Sequence, residues 1–208
     1  MTVDIDGTLT TVHGWQVIAD ALGRRDEFDR TQRRFFAREI GEDEHLANML
    51  RIARGHTVGE VEAALEATPR LEGITEGIER LHAAGSRVAL LTHNPTYVCD
   101  WYLRRFGFDD FEGVPTAPLR DGRIAPESTV RADKWAGLGR LTDRAGTTAA
   151  LDVHVGDGWA DAALFPRVGR GIALNTRLPE VERAADVVLR TRDFREVAGR
   201  VEALPPRG

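Results

Sequence analysis

Apolar positions along the chain fall first in one short run, then in long stretches at helical spacing, and finally in short runs alternating with helical stretches. Thr2-Val3-Asp4-Ile5-Asp6-Gly7-Thr8 reads as a short strand running into two acids and a glycine turn. Phe28, Phe35, Phe36 and Ile40 recur at i, i+7, i+8 and i+12, and Leu46, Met49, Leu50 and Ala53 at i, i+3, i+4 and i+7, each the single apolar stripe of a helix. Thr57 with Glu60 three residues on forms a capping box, opening a helix with Val58, Val61 and Leu65 on its buried face. Ile74, Ile78 and Leu81 mark one more helix, stopped at Gly85.

Beyond this point the pattern changes. Arg87–Leu91 predicts a buried strand ending at Thr92, followed by a helix from Asn94-Pro95. The segment 117–125 predicts a charged hairpin with an Asp121-Gly122 turn. A helix over Lys134–Leu141 leads to strands at Val153–Val155, Gly171–Leu174 and Val187–Leu189, with helices near Pro179–Ala184 and Phe194–Leu204. Strands alternating with helices predict an α/β fold with a Rossmann-like parallel sheet. From Asp4 to Thr92 is 88 residues, far more than the roughly 30 of one βαβ unit. The surplus predicts an inserted α-helical cap domain at 14–70, with 1–13 and 71–208 forming the core.

Composition narrows the function. The 208 residues carry 28 basic and 33 acidic side chains, a net charge of −5, which disfavours nucleic acid as the main partner. No apolar run approaches the ~18 residues of a membrane span, and MTVDIDGTLT lacks the layout of a signal peptide, so a cytoplasmic location is expected. Cys99 is the sole cysteine, which excludes an internal disulfide and a multi-thiolate zinc site. Lys134 is the sole lysine beside 27 arginines. Any step that needs an amine side chain must use it.

The candidate chemistry sits where strands end, the place where open α/β sheets bind ligands. Asp4 and Asp6 follow the first strand, Thr92 the second, and Asp157 the strand at Val153–Val155, while Lys134 opens the helix before it. Clustered carboxylates with no cysteine or histidine partner suit a hard cation such as Mg²⁺. A lysine and a hydroxyl beside that ion suit a phosphoryl group. Asn94 as N-cap with Pro95 at the first helical position would add a helix N-terminus that favours an anion. In this reading Asp4 attacks the phosphorus as a carboxylate nucleophile, and Asp6 protonates the leaving alcohol and later activates water.

Taken together, these segments resemble the haloacid dehalogenase superfamily of phosphatases, most closely its phosphoserine-phosphatase-like branch. Asp4-Ile5-Asp6-Gly7-Thr8-Leu9-Thr10 resembles the first motif, Thr92 the second, Lys134 the third, and Gly156-Asp157 with Asp161 the fourth. The helical insert is similar to the family's first cap type. The resemblance implies Mg²⁺ held by the Asp4 carboxylate, the Asp6 backbone carbonyl and Asp157 with support from Asp161, and phosphate contacts from Thr92, His93 and Lys134. The implied substrate is a small phosphorylated metabolite. His13, Trp15 and Asn94 are the candidate substrate contacts.

The departures concern the substrate. The branch's glutamate after the first motif is missing from Thr10–Trp15, His93-Asn94 replaces two glycines, and Ala160 stands where an asparagine precedes the last aspartate. Phosphoserine phosphatase is therefore one alternative within a broader phosphomonoester hydrolase reading. A phosphotransferase or phosphomutase on the same core is another, and a non-catalytic regulatory protein a third. Asp6 argues against a dehalogenase, and the lack of a lysine in the insert argues against a Schiff-base phosphonate hydrolase.

Overall fold

The computed structural model describes residues 1–116, 121–125, 133–148 and 153–204. Its strands are β1 (Thr2–Val3), β2 (Ala89–Pro95), β3 (Asp110–Val114), β4 (Val153–Gly156), β5 (Arg170–Leu174) and β6 (Val187–Leu189). They form one sheet in the order β3-β2-β1-β4-β5-β6, and every neighbouring pair is parallel. The α/β reading therefore holds. The order reverses direction at β1, where Thr2 pairs with Ala89 on one side and His154 on the other. Such a reversal opens a crevice at the carboxyl ends of the central strands.

Side-chain alternation explains why both faces of the sheet are covered. Leu90 points into the larger apolar cluster with Val3, Val155 and Ile172. Its neighbours Ala89 and Leu91 point the other way, onto Leu138 and Leu141. Those two leucines belong to α7 (Lys134–Ala145), which Asp133 caps by accepting from the Trp135 and Ala136 amides at 2.9 and 3.1 Å. On the opposite face, α5 (Ile74–Ala83) packs beside α10 (Phe194–Glu202).

Between β1 and α5 lie four helices, α1 (Gly14–Ala21), α2 (Arg25–Phe36), α3 (Glu42–Ile52) and α4 (Val58–Ala67). They pack on one another, and their buried Ile18, Phe28, Met49 and Leu65 join the larger cluster. The Thr57–Glu60 capping box forms in both directions. No helix among the described residues is long and apolar enough to cross a membrane.

Three local expectations change. Strand β2 does not stop at Thr92: its ladder with β3 shifts register after Leu91 and resumes at Pro95–Val114. Helix α6 (Thr96–Phe106) therefore begins one residue late, with Pro95 rather than Asn94 at the N-cap and no side-chain cap. The apolar stripe of α2 also breaks, since the helix ends at Phe36 and that ring is 62% exposed while Ile40 lies beyond it. Finally, β3 had no expected counterpart in the sequence pattern. Part of the expected hairpin, 117–120, lies outside the described residues; Asp121 and Gly122 do take positive φ, and Arg123 bridges to Thr57.

Candidate active site

Asp4 leaves β1 at the centre of the sheet, its amide still donating to Val155 O at 2.9 Å. The turn that follows winds Thr8, Leu9 and Thr10 amides back to the Ile5 carbonyl. Gly7 makes this possible, with φ +79°, and a Cβ there would collide with the Asp157 carboxylate. The glycine thus lets the first strand's turn close against the residue that follows β4. Thr8 Oγ1 completes the contact, donating to Asp157 Oδ1 at 2.8 Å.

Asp4, Asp157 and Asp161 each offer a carboxylate oxygen within 4.8 Å of the others. Burial raises the Asp157 carboxyl well above the usual range, and the charges of Asp4 and Asp161 raise it further. Asp4 is also raised, first by burial, against the lowering pull of Lys134. Oxygen-only ligands under this mutual repulsion fit a hard divalent cation, which would relieve both effects.

Asp161 differs from its two neighbours. Lys134 Nζ and His154 Nε2 meet its Oδ1 at 2.6 and 2.8 Å, and the Asp157 and Gly158 amides donate to Oδ2 at 3.1 and 3.0 Å. Four donors fill the acceptor sites of a carboxylate. Burial would raise its pKa, but the Lys134 ammonium and the His154 bond pull it well below the usual range. Burial likewise opposes the charge on Lys134, and Asp161 and Asp4 overturn that and raise it. Since a carboxylate only accepts, His154 carries a proton on Nε2, and its Nδ1 is hydrogen-bonded with Thr2 Oγ1 at 3.0 Å. His154 had no role in the sequence reading. Its signal was a histidine in an otherwise apolar buried strand.

Asp6 stands on the other side of Asp4. Its Oδ1 accepts from the Gly14 amide at 2.5 Å and lies 3.6 Å from His13 Nδ1, while Oδ2 accepts from Asn94 Nδ2 at 2.8 Å. The Asp6 side chain is outside the three-carboxylate cluster. Asn94 also donates to Thr92 Oγ1 at 3.1 Å and accepts from Trp15 Nε1 at 2.9 Å. Having lost its expected place as a helix cap, Asn94 ties together Asp6, Thr92 and Trp15.

All of the expected residues line one cavity of about 220 Å³, from Asp4 and Asp6 through Thr92, His93 and Lys134 to Asp157 and Asp161, with His13, Trp15 and Asn94 beside them. That is below the ~300–1,000 Å³ of pockets for drug-sized molecules. Helices α2 and α3 contribute walls from residues on their apolar stripes, Phe35, Phe36, Leu46 and Met49, with Glu42 and His45 beside them. Trp159 also lines it and meets the Phe35 and Phe36 rings edge-on at 5.5 and 6.0 Å. Burial lowers His45 to about 4 and His93 to about 3, so both imidazoles are uncharged at neutral pH. Arg51 and Arg54 are exposed and do not reach the cavity.

The family profile of haloacid dehalogenase-like hydrolases matches residues 2–166. A phosphoserine phosphatase of Archaeoglobus fulgidus is 28% identical over 178 residues, covering 84% of this chain and 52% of the relative. One from Haemophilus influenzae is 23% identical, covering 93% of this chain and 62% of the relative. The chain thus spans about half to three fifths of the length of these relatives. A solved phospho-aspartyl intermediate analogue of a phosphoserine phosphatase superposes with a TM-score of 0.79 at 22% identity, covering 96% of each chain, and so shares the fold.

Proposed function

The chain belongs to the haloacid dehalogenase-like hydrolase family, and on that footing we propose that it hydrolyses phosphomonoesters of a small metabolite through a phosphorylated Asp4. The observation that carries this reading is the Asp4 carboxylate itself, which faces the cavity 3.2 Å from Lys134 Nζ and within reach of Asp157. Residues 14–70 act in it as a cap over the site, supplying one wall of the cavity.

An Asp4 oxygen attacks phosphorus in line, and the bond from phosphorus to the ester oxygen breaks. Asp6 gives its proton to the departing alkoxide. Water then attacks the acyl phosphate, Asp6 takes a proton from it, and cleavage of the Asp4–phosphorus bond frees phosphate. Lys134 and the Thr92 hydroxyl hold phosphoryl oxygens, and the Gly14 and Asn94 bonds keep the Asp6 carboxylate aimed. Asp4, Asp157 and the Asp6 carbonyl would hold Mg²⁺, with Asp161 anchoring Lys134 behind them. Such an ion offsets the repulsion between the attacking carboxylate and the phosphate dianion.

The test is phosphate release from 4-nitrophenyl phosphate and a panel of phosphorylated metabolites with Mg²⁺ present. Release by the parent chain, with none by a folded Asp4→Asn variant, is the expected result. A parent chain that releases no phosphate from any of them, or an Asp4→Asn variant of ordinary activity, sinks the reading.

A further inference from the structure

The charge of the cavity points to what its ester carries. Lys134 is the sole Lys or Arg among the described lining residues, and Asp4 and Asp161 already engage it. None of the chain's 27 arginines is among them. The indole and amide donors of the wall are occupied too, Trp15 Nε1 by Asn94 and Asn94 Nδ2 by Asp6 and Thr92, while His13 Nδ1, 3.6 Å from Asp6 Oδ1, makes no hydrogen bond. His45 Nε2 sits 3.3 Å from Gln32 Oε1. A carboxylate on the leaving alcohol would find no uncommitted Lys or Arg among the described lining residues, and several negative neighbours.

The opposite holds for a cation. Glu42, the first residue of α3, brings the insert's own carboxylate to the cavity. It lies 3.6 Å from His93 Nδ1, an imidazole uncharged at neutral pH, and no Lys or Arg among the described residues pairs with it; burial raises its carboxyl and the Lys134 charge lowers it. The same cavity is lined by aromatic rings. Phe35 and Phe36 lie 5.9 Å apart, both meet Trp159, and His45 stacks on Phe35 at 4.1 Å. An ammonium is attracted to the faces of aromatic rings, more strongly when desolvated, and quaternary ammonium groups are recognised in this way. A large apolar ring left 62% exposed at the mouth of the cavity also has a use in such a site.

We propose that the substrate is the phosphomonoester of a small amino alcohol with no carboxylate, its ammonium group held between Glu42 and the Phe35–Phe36–Trp159 rings. This rests on the phosphomonoesterase reading and deepens it. It also separates the chain from the phosphoserine named for its relatives, since that ester carries a carboxylate beside its ammonium.

The experiment compares kcat/KM for phosphocholine, O-phosphoethanolamine, O-phosphoserine, glycerol 1-phosphate and 4-nitrophenyl phosphate in the parent, Glu42→Gln and Glu42→Arg chains. The two amino-alcohol esters are expected to exceed phosphoserine and glycerol phosphate by about tenfold or more. Glu42→Gln should shrink that margin mainly through KM, and Glu42→Arg should turn the preference toward phosphoserine. Glu42 is exposed at the start of a helix, so neither change disturbs the core. Hydrolysis of the aryl ester with no preference for the ammonium esters, or with a preference that both variants keep, overturns this inference and leaves the phosphatase reading standing. Failure on every ester, the aryl one included, removes both.

Discussion

Lys134 Nζ lies 2.6 Å from Asp161 Oδ1, with both side chains almost wholly sealed from solvent. The same ammonium reaches Asp4 Oδ1 at 3.2 Å. A buried charge that loses its partner costs about 3–5 kcal/mol. Replacing Lys134 by Met, which keeps the volume and removes the charge, strands two carboxylates. The thermal midpoint should fall by roughly 10 °C, read by scanning calorimetry. Lys134→Arg keeps the charge but replaces a compact point donor with a planar fork, so activity should drop by about tenfold or more with a smaller loss of stability. A Lys134→Arg variant of normal turnover would show that the site does not need that geometry.

Metal binding can be read without turnover. Asp157 is raised by burial and by two neighbouring carboxylates, so the cluster is under repulsion when no cation is present. Mg²⁺ at about a hundred times its Kd adds about 2.7 kcal/mol to stability, a rise of several degrees in Tm. Asp157→Asn should lose most of that rise. In chelator, the same variant should be no less stable than the parent, because one repelling charge is gone. A parent chain whose Tm ignores Mg²⁺ contradicts the cluster's role.

Asn94 carries three bonds at once, to Trp15, Asp6 and Thr92. Asn94→Ala frees the Asp6 carboxylate and leaves a buried indole N–H without its acceptor, a penalty of about 1–3 kcal/mol. On the proposed mechanism we expect kcat to fall further than KM changes, because Asp6 loses one of the two bonds that aim it while Lys134, the charged phosphate contact, is untouched. Trp15→Phe removes a single donor and should cost less on both counts.

His45 sets a pH dependence for the helical segment. Its pKa is lowered from 6.5 to about 4, chiefly by burial and then by His13. In the unfolded chain it protonates first, so the unfolded state binds the extra proton between those values. The contribution is fully present above pH 6.5 and drains away as pH falls toward 4. Nuclear magnetic resonance of the His45 ring should show no titration until near pH 4. A His45→Leu variant should lose less stability than the parent across that interval.

The strand ends were legible because two signals coincide there, a short apolar run and acids at its exit. This is why Asp4, Asp6, Asp157 and Lys134 could be named together. The cavity wall was less legible for a reason rooted in periodicity. An apolar stripe shows which face of a helix avoids water, and says nothing of whether that face meets packed side chains or a hollow. Phe35, Phe36, Leu46 and Met49 read as core, and they face the cavity. Asn94-Pro95 misled in another way. Local preference favours a helix start there, but pairing of Pro95 with Val114 keeps Pro95 extended and delays the helix by one residue. Strand β3 carries few apolar residues because it lies at the sheet's edge and is only half-buried.

The scarcity of lysine has a practical consequence for watching this chain fold. A lysine-specific protease has a single bond to cut in these 208 residues, after Lys134, in the first turn of α7 and 7% exposed. An arginine-specific protease has 27 sites, many on the surface. Cleavage after Lys134 therefore reports exposure of a single buried bond at the cavity wall, giving a one-bond clock for any ligand that keeps it shut.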